Sequence, residues 1–300
     1  KSHYNIIIDA DGCVRDAKGG IVAALIKNAL PETVTATASE VLRSAPARTS
    51  LRANIFGGEA PLSGIAGYYD YTGAPIEFKS RKTSFTCEHA DNWHKVFPLV
   101  TYASEIYKAV CPDEWAKQDA VIPDVVRING TPFSTLTLNQ RFRTAKHTDS
   151  GDFDDGFGVL AVLEGTFGGL HLGVPDFGTC FKMEKGDVLI FNTHHFHCNT
   201  ELEGDARLWD RLTCVFYYRA MLGEPISYAN YERRLAEALA EGKHVRFDYI
   251  QRKPNGVNLN RPAEVYCPLS SPFSLCSALS CFSEKVKASV FDNVQHLLTL

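Results

Sequence analysis

Apolar positions along this chain change their spacing twice. From Val121 to Arg219 they fall in short runs of strand length, split by Gly and Asp turns. Six such runs stand out: Val121–Ile128, Ser134–Phe142, Phe157–Leu163, Gly169–Val174, Asp187–Asn192 and Arg211–Arg219. Short strands with no helical stretch between them predict an antiparallel sandwich or barrel. Before Val121 the spacing is mostly helical. Gly20–Leu30 reads as a helix that stops ahead of Pro31, and Thr35–Ser44 as a second one. His94–Val110 is the longest amphipathic pattern, with Val96, Val100, Ile106, Tyr107 and Val110 near one face and Trp93 and Trp115 beside it. It predicts a helix that buttresses a sheet.

Shorter signals fill the remainder. Tyr4–Asp9 reads as a strand closed by a turn at Asp11-Gly12, and the glycine-rich Gly57–Gly73 as loop and short strand holding Tyr68, Tyr69 and Tyr71. Phe78–Thr86 reads as a strand with three cations, Lys79, Arg81 and Lys82. Such a strand is either a solvated edge or, with aromatics interleaved, a phosphate-contacting one. After Gly223 the pattern is helical again over Tyr228–Glu241, where Arg233 and Glu237 form an i,i+4 pair. A turn at Lys253–Gly256, a serine-rich loop over Ser270–Ser280 and a covering helix over Glu284–Leu298 complete the reading. The expected layout is one catalytic domain over 1–300: a buttress over 1–120, a β core over 121–222 and a helical cover over 223–300.

Composition narrows the class. With 45% hydrophobic and 22% charged residues, the chain can bury a sizeable core and is not disordered. A net charge of −4 excludes a generic nucleic-acid coat but leaves room for a local basic groove. Nine cysteines without a CxxC pair fit a reducing compartment and read mostly as core thiols. No apolar run reaches membrane-spanning length, so no membrane association is expected. The sequence starts at Lys1 without a signal-like segment and reads as a trimmed piece.

The chemistry concentrates between Thr144 and Arg219. His147-Thr148-Asp149 places a histidine and a carboxylate two residues apart, so both face one side of an extended segment. Alone the motif is weak. A second histidine from a distant strand would complete a facial triad of two His and one carboxylate, which leaves three metal positions open. His197 follows the apolar strand Asp187–Phe191 and is preferred, while His194 and His195 compete with it. His171 reads as an outward strand histidine. Arg211 opens a largely apolar strand. Facing a barrel interior it would need an anionic partner, such as a keto-acid carboxylate bound fork to fork, with Thr213 on the same face. The alternative is a surface arginine at a strand start, in which case Arg207 or Arg219 takes the role. Asp152, Asp154 and Asp155 crowd the loop after the motif. Their charge would oppose a dianionic keto acid and favour a polyhydroxylated lactone, with Asp152 the contact.

The series His147-x-Asp149, Gly168-Gly169-x-His171-Leu172, Gly186-Asp187-Val188, His197, Arg211 resembles the double-stranded β-helix Fe(II) dioxygenases. Within them it is most similar to the TET/JBP branch, whose final core strand Arg211–Tyr217 resembles and whose substrate-side segment Arg81–Thr86 resembles. The Lys146–Phe153 neighbourhood further resembles the vitamin C-dependent green-algal branch that modifies 5-methylcytosine. The resemblance implies an α+β fold with a double-stranded β-helix (jelly-roll, cupin-like) core and flanking helices. It implies Fe(II) on His147, Asp149 and His197, O2, and L-ascorbate or alternatively 2-oxoglutarate on Arg211, Asp152 and Thr213. The implied reaction is glyceryl transfer to 5-methylcytosine, releasing CO2 and glyoxylate. A 2-oxoglutarate-dependent hydroxylation of 5-methylcytosine or of a protein side chain is the alternative, and a non-catalytic cupin-like binding module the third reading. The implied partner is double-stranded DNA containing 5-methylcytosine, whose target base must be flipped out, and the setting a monomer in the nucleus. Arg81, Lys82, Thr83, Phe85, Tyr68, Tyr69, Arg143 and Lys146 are the expected DNA and base contacts, with Phe153 and Phe157 as further lining candidates.

Overall fold

The computed structural model describes residues 4–48, 62–70 and 80–222, together with 236, 237 and 240. In chain order its strands are β1 (Ile6–Ile8), β2 (Gly12–Arg15), β3 (Ile21–Ile26), β4 (Ala47–Arg48), β5 (Leu62–Asp70), β6 (Ser80–Lys82), β7 (Thr135–Gln140), β8 (Gly158–Thr166), β9 (Gly168–Gly169), β10 (Leu172–Val174), β11 (Thr179–Phe181), β12 (Val188–Phe191), β13 (Cys198–Asn199), β14 (Leu202–Glu203) and β15 (Asp210–Tyr217). The helices are α1 (Glu32–Leu42), α2 (Ser84–Glu88), α3 (Ala90–His94), α4 (Phe97–Val110) and α5 (Pro112–Val121).

Strands that are apolar at every position must be covered on both faces, and these build the centre. β3, β12, β8 and β15 lie side by side in a nine-stranded sheet of order β2-β3-β12-β8-β15-β7-β5-β4, with β6 paired to β5. One face carries Val159, Ala161 and Leu163 of β8, Val188 and Ile190 of β12, and Leu212, Cys214 and Phe216 of β15. That face packs on α1 and α4 through Val34, Ala38, Val100, Ala103 and Tyr107. The other face carries Leu160, Val162, Leu189 and Phe191. It packs on Leu172, Val174 and Phe181 of a four-stranded sheet of order β1-β11-β10-β13. Two stacked sheets with helices on the outer face of the larger one form the expected jelly roll with its flanking helices.

Several expectations need correction. Gly20–Leu30 is not a helix: Ile21–Ile26 forms β3, hydrogen-bonded between β2 and β12. Six consecutive apolar residues satisfy helical spacing and a doubly buried strand equally well. Asn28, with φ 50°, then turns the chain, its amide donating to Asp187 Oδ1. Val121–Ile128 is not a strand either. α5 ends at Val121, and Asp124–Val126 is a single 3₁₀ turn after Pro123. The strand expected over Phe78–Thr86 is limited to Ser80–Lys82, because Ser84–Glu88 turns helical; 78 and 79 lie outside the described residues. The short strand expected within Gly57–Gly73 is the nine-residue β5. Of the Tyr228–Glu241 helix only 236, 237 and 240 are described, and these are helical; everything expected beyond falls outside the described residues. Strands β2 to β5 of the N-terminal stretch belong to the large sheet itself, so this stretch does more than buttress it.

Candidate active site

The segment before Asp149 runs antiparallel to the one after His195. His147 N donates to His197 O at 3.0 Å, and His197 N donates to His147 O at 2.9 Å. Residues that exchange both backbone bonds project their side chains to one side, so the two rings meet with centroids 4.3 Å apart. Asp149, two residues on, returns to that side, and its amide donates to Thr193 O at 3.0 Å. Its carboxylate oxygens lie 3.5 Å from His147 Nε2 and 3.5 Å from His197 Nε2. One ligand atom from each of the three residues falls within 4.8 Å of the others. His147 Nδ1 faces Ala145 O at 2.8 Å and His197 Nδ1 faces His195 O at 2.9 Å. A ring nitrogen facing a carbonyl carries the proton, which turns both Nε2 lone pairs toward the Asp149 carboxylate, where a cation would sit. The donor chemistry, two neutral imidazoles and one carboxylate, fits a divalent iron.

Of the three competing histidines, the structure brings His197 to the cluster. His194 reaches back to Phe153 O and Asp154. His195 turns its ring edge-on to Phe177, centroids 5.1 Å apart.

Arg211 is buried and faces the space between the sheets, its guanidinium carbon 5.1 Å from the Phe167 ring centre. Its Nε has no hydrogen-bond partner among the described residues. Burial alone pushes its pKa down to about 10. An unpartnered buried cation is costly, so this side chain fits a carboxylate ligand. Thr213 shares its face, and its hydroxyl donates weakly to Asn139 O at 3.5 Å. The alternatives are placed elsewhere. Arg207 is exposed and paired with Asp205. Arg219 donates to the buried Asp70 and lies 4.7 Å from the Tyr69 ring centre.

Asp152 lies next to the cluster, its amide donating to Asp149 O at 3.2 Å. It is buried, and burial first, then the neighbouring Asp149 charge, raises its pKa well above the carboxylate range. Asp154 is almost fully exposed and lies beside His194, and Asp155 is also exposed. Of the three carboxylates of the loop, Asp152 alone is buried.

The expected DNA contacts divide. Lys146 is exposed, with Nζ 4.4 Å from the Phe196 ring centre and 3.8 Å from Asp176. Tyr69 pairs with Arg81 across β5 and β6. Arg143 is half-buried. Lys82 stands over Tyr68 at 5.8 Å, and burial lowers its pKa. Tyr68 packs on the cluster of Ile122, Val126, Tyr218 and Leu222, and burial pushes its pKa up to about 12. Thr83 is buried in a hydroxyl pair with Thr86, and Phe85 packs edge-on to Trp93 in the helix-side core. Of these three, Thr83 is buried, while Tyr68 and Phe85 are half-buried at the margins of the apolar clusters. Phe153 lies against Tyr218, and Phe157 stacks on Tyr107.

Two contributors escape sequence reasoning. His171 is half-buried: its Nδ1 has no hydrogen-bond partner among the described residues, and burial lowers its pKa. The turn before it, with Gly169 at φ 67° and Leu170 at φ 52°, redirects the strand, and a Gly-Gly pair was the available signal. Asn199 ties the metal-side loop down, accepting from Thr144 N at 3.0 Å and donating to Leu170 O at 3.2 Å.

Comparison with known proteins places the chain in one family. A family model described as the oxygenase domain of the 2OGFeDO superfamily, TET/JBP type, matches residues 64–220. Thymine dioxygenase JBP1-B of Trypanosoma cruzi (strain CL Brener) is 56% identical over 281 residues, covering 91% of this chain and 34% of that protein. Thymine dioxygenase JBP1 of Trypanosoma brucei brucei (strain 927/4 GUTat10.1) is 56% identical over 267 residues, covering 88% and 32%. Thymine dioxygenase JBP1 of Leishmania major is 55% identical over 265 residues, covering 87% and 33%. The chain spans about a third of the length of these relatives. Among solved structures, NgTET1 in complex with 5mC DNA superposes with a TM-score of 0.53 at 15% identity, covering 78% of this chain and 90% of that one, a likeness of fold.

Proposed function

From the premise that this chain belongs to the TET/JBP family of 2OG-Fe(II) oxygenases, we propose that it hydroxylates the 5-methyl group of a pyrimidine in double-stranded DNA. Thymine is the favoured base, and Fe(II), 2-oxoglutarate and O2 are the reactants. One observation carries the reading: a buried Arg211, whose Nε has no hydrogen-bond partner among the described residues, borders the same inter-sheet space as the His147–Asp149–His197 cluster. Phe167 beside Arg211 and Phe191 beside His197 both belong to that space. The preference for thymine rests on relatives at 55–56% identity that are named thymine dioxygenases.

Iron held by the three ligands supplies the redox chemistry in which 2-oxoglutarate and O2 become succinate and CO2, with one oxygen atom left on the methyl carbon. The chain's own residues do the positioning. Ala145 O and His195 O fix the two imidazole tautomers, and Thr193 O fixes the Asp149 backbone. Arg211 offers a two-pronged donor to a carboxylate, and the half-buried His171 offers a further polar contact through Nδ1. The target base leaves the duplex to reach this space. Lys146 and Arg81 stand as phosphate contacts, and nuclear DNA and a monomeric enzyme complete the proposal.

Glyceryl transfer from ascorbate to 5-methylcytosine gains no support from these relatives. One experiment separates the readings. Duplexes containing thymine or 5-methylcytosine are incubated with Fe(II) and either 2-oxoglutarate or ascorbate, and the nucleosides are read by mass spectrometry. The expected product is 5-hydroxymethyluracil, formed only with 2-oxoglutarate. A glyceryl adduct with ascorbate would restore the vitamin C reading. Absence of any modified base with either co-substrate would sink the DNA reading.

A further inference from the structure

A buried arginine is useful to an anionic ligand only while no carboxylate of the protein claims it, and β8 brings one close. β15 alternates without interruption: Leu212, Cys214 and Phe216 face the helices, while Arg211 and Thr213 face the inter-sheet space. β8 does not alternate in step with it. Thr213 pairs with Val162, but Leu212 pairs with Glu164 and Arg211 with Gly165, which leaves Leu163 as an extra residue. An unbroken register would run on to Leu212 opposite Leu163 and Arg211 opposite Glu164. Directly opposed residues of an antiparallel pair project to the same face. That register would set the Glu164 carboxylate beside Arg211, inside the barrel.

The bulge turns Glu164 the other way. On the helix side Arg43, at the C-terminal end of α1, donates through Nε to Glu164 Oε2 at 3.0 Å and through a terminal nitrogen to Asp210 Oδ2 at 2.7 Å. Both carboxylates that flank Arg211 along and across the strands are thereby engaged outside. The position opposite Arg211 falls to Gly165, with φ 141°. A Cβ there would lie 2.3 Å from Asp210 O and 2.7 Å from Arg211 Cα, so no other residue fits without moving the strand that aims the guanidinium.

We propose that the Leu163 bulge and the Arg43 clamp are a specificity device, in which Arg43 and Gly165 act as positioning residues that keep Glu164 away from Arg211. The guanidinium is so reserved for the distal carboxylate of a keto-acid co-substrate. This rests on the reading of Arg211 as the co-substrate's partner. Removing Arg43 leaves Glu164 without its cation, and a one-residue slip of β8 then brings it to Arg211 as an internal competitor.

The test measures 2-oxoglutarate affinity by calorimetry on protein loaded with redox-inert Mn(II). Arg43→Met weakens 2-oxoglutarate by roughly tenfold, the change given by about 1.4 kcal/mol of internal competition. Glu164→Gln alone leaves affinity near wild type, and adding Glu164→Gln to Arg43→Met restores it. Mn(II) affinity stays constant throughout, because the metal ligands are on other segments. An Arg43→Met variant with wild-type affinity overturns the inference. So does a double variant as weak as Arg43→Met, the result expected of a merely structural clamp. If Arg43→Met does not fold, the milder Arg43→Gln is taken through the same rescue. Wild-type protein that binds Mn(II) but no 2-oxoglutarate sinks the reading of Arg211 itself, whereas wild-type binding with unresponsive variants sinks only the clamp.

Discussion

At the scale of single residues, the site depends on where each proton and charge is held. His147 and His197 can act as ligands because backbone carbonyls occupy their Nδ1 positions. Removing a ligand should cost more metal affinity than the 10–100-fold typical of losing an outer partner. His147→Ala and Asp149→Ala are therefore expected to lose Mn(II) binding by more than about a hundredfold. Neither side chain is part of the two apolar cores, so their metal-free far-UV circular dichroism should match wild type. Retained metal affinity in either variant would show that the cluster is not the metal centre. Arg211 is the opposite case, a side chain whose lack of a partner makes it useful.

At the scale of elements, β15 has most to do. It pairs with β7 on one side and β8 on the other, sends Leu212, Cys214 and Phe216 into the helix-side core, and turns Arg211 and Thr213 inward. Phe216 is fully buried and lies 5.5 Å, ring centre to ring centre, from Phe133. Phe216→Ala should lower unfolding free energy by about 3–5 kcal/mol in urea titrations, as large aromatic deletions in cores do. A loss under roughly 1 kcal/mol would mean that the strand is less tightly packed than described. The bulge on β8 shows a second property of elements. One extra residue reverses the facing of everything beyond it, so register decides whether a carboxylate is a surface clamp or an internal competitor.

At the scale of the whole molecule, the metal cluster joins segments that only the fold brings together. His147 and Asp149 precede β8, and His197 follows β12. Metal that binds the native state alone should stabilise it by about 2.7 kcal/mol when present at 100 times its dissociation constant. A chelator-reversible rise in melting temperature with Mn(II), absent in Asp149→Ala, is the expected result. An unchanged melting temperature would show that the native cluster holds no metal. Local sequence was enough for much of this. The short apolar runs of β7, β8, β12 and β15, the helical stripe of α4, the His147-x-Asp149 pair and the apolar approach to His197 are all set by residues close together in the chain. Local sequence failed where burial on both faces erased the period, as in Ile21–Ile26, and it carries no sign of the bulge that turns Glu164 toward Arg43. Nor does local sequence show the surroundings of Asp152, Tyr68, Thr83 and Phe85, which come from neighbours distant in the chain as well as near ones. The sequence by itself determined which residue types could hold a cation and bind a carboxylate. Only the tertiary structure decided which of them meet and which stay unpaired, because desolvation and pairing depend on contacts across strands that no local pattern encodes.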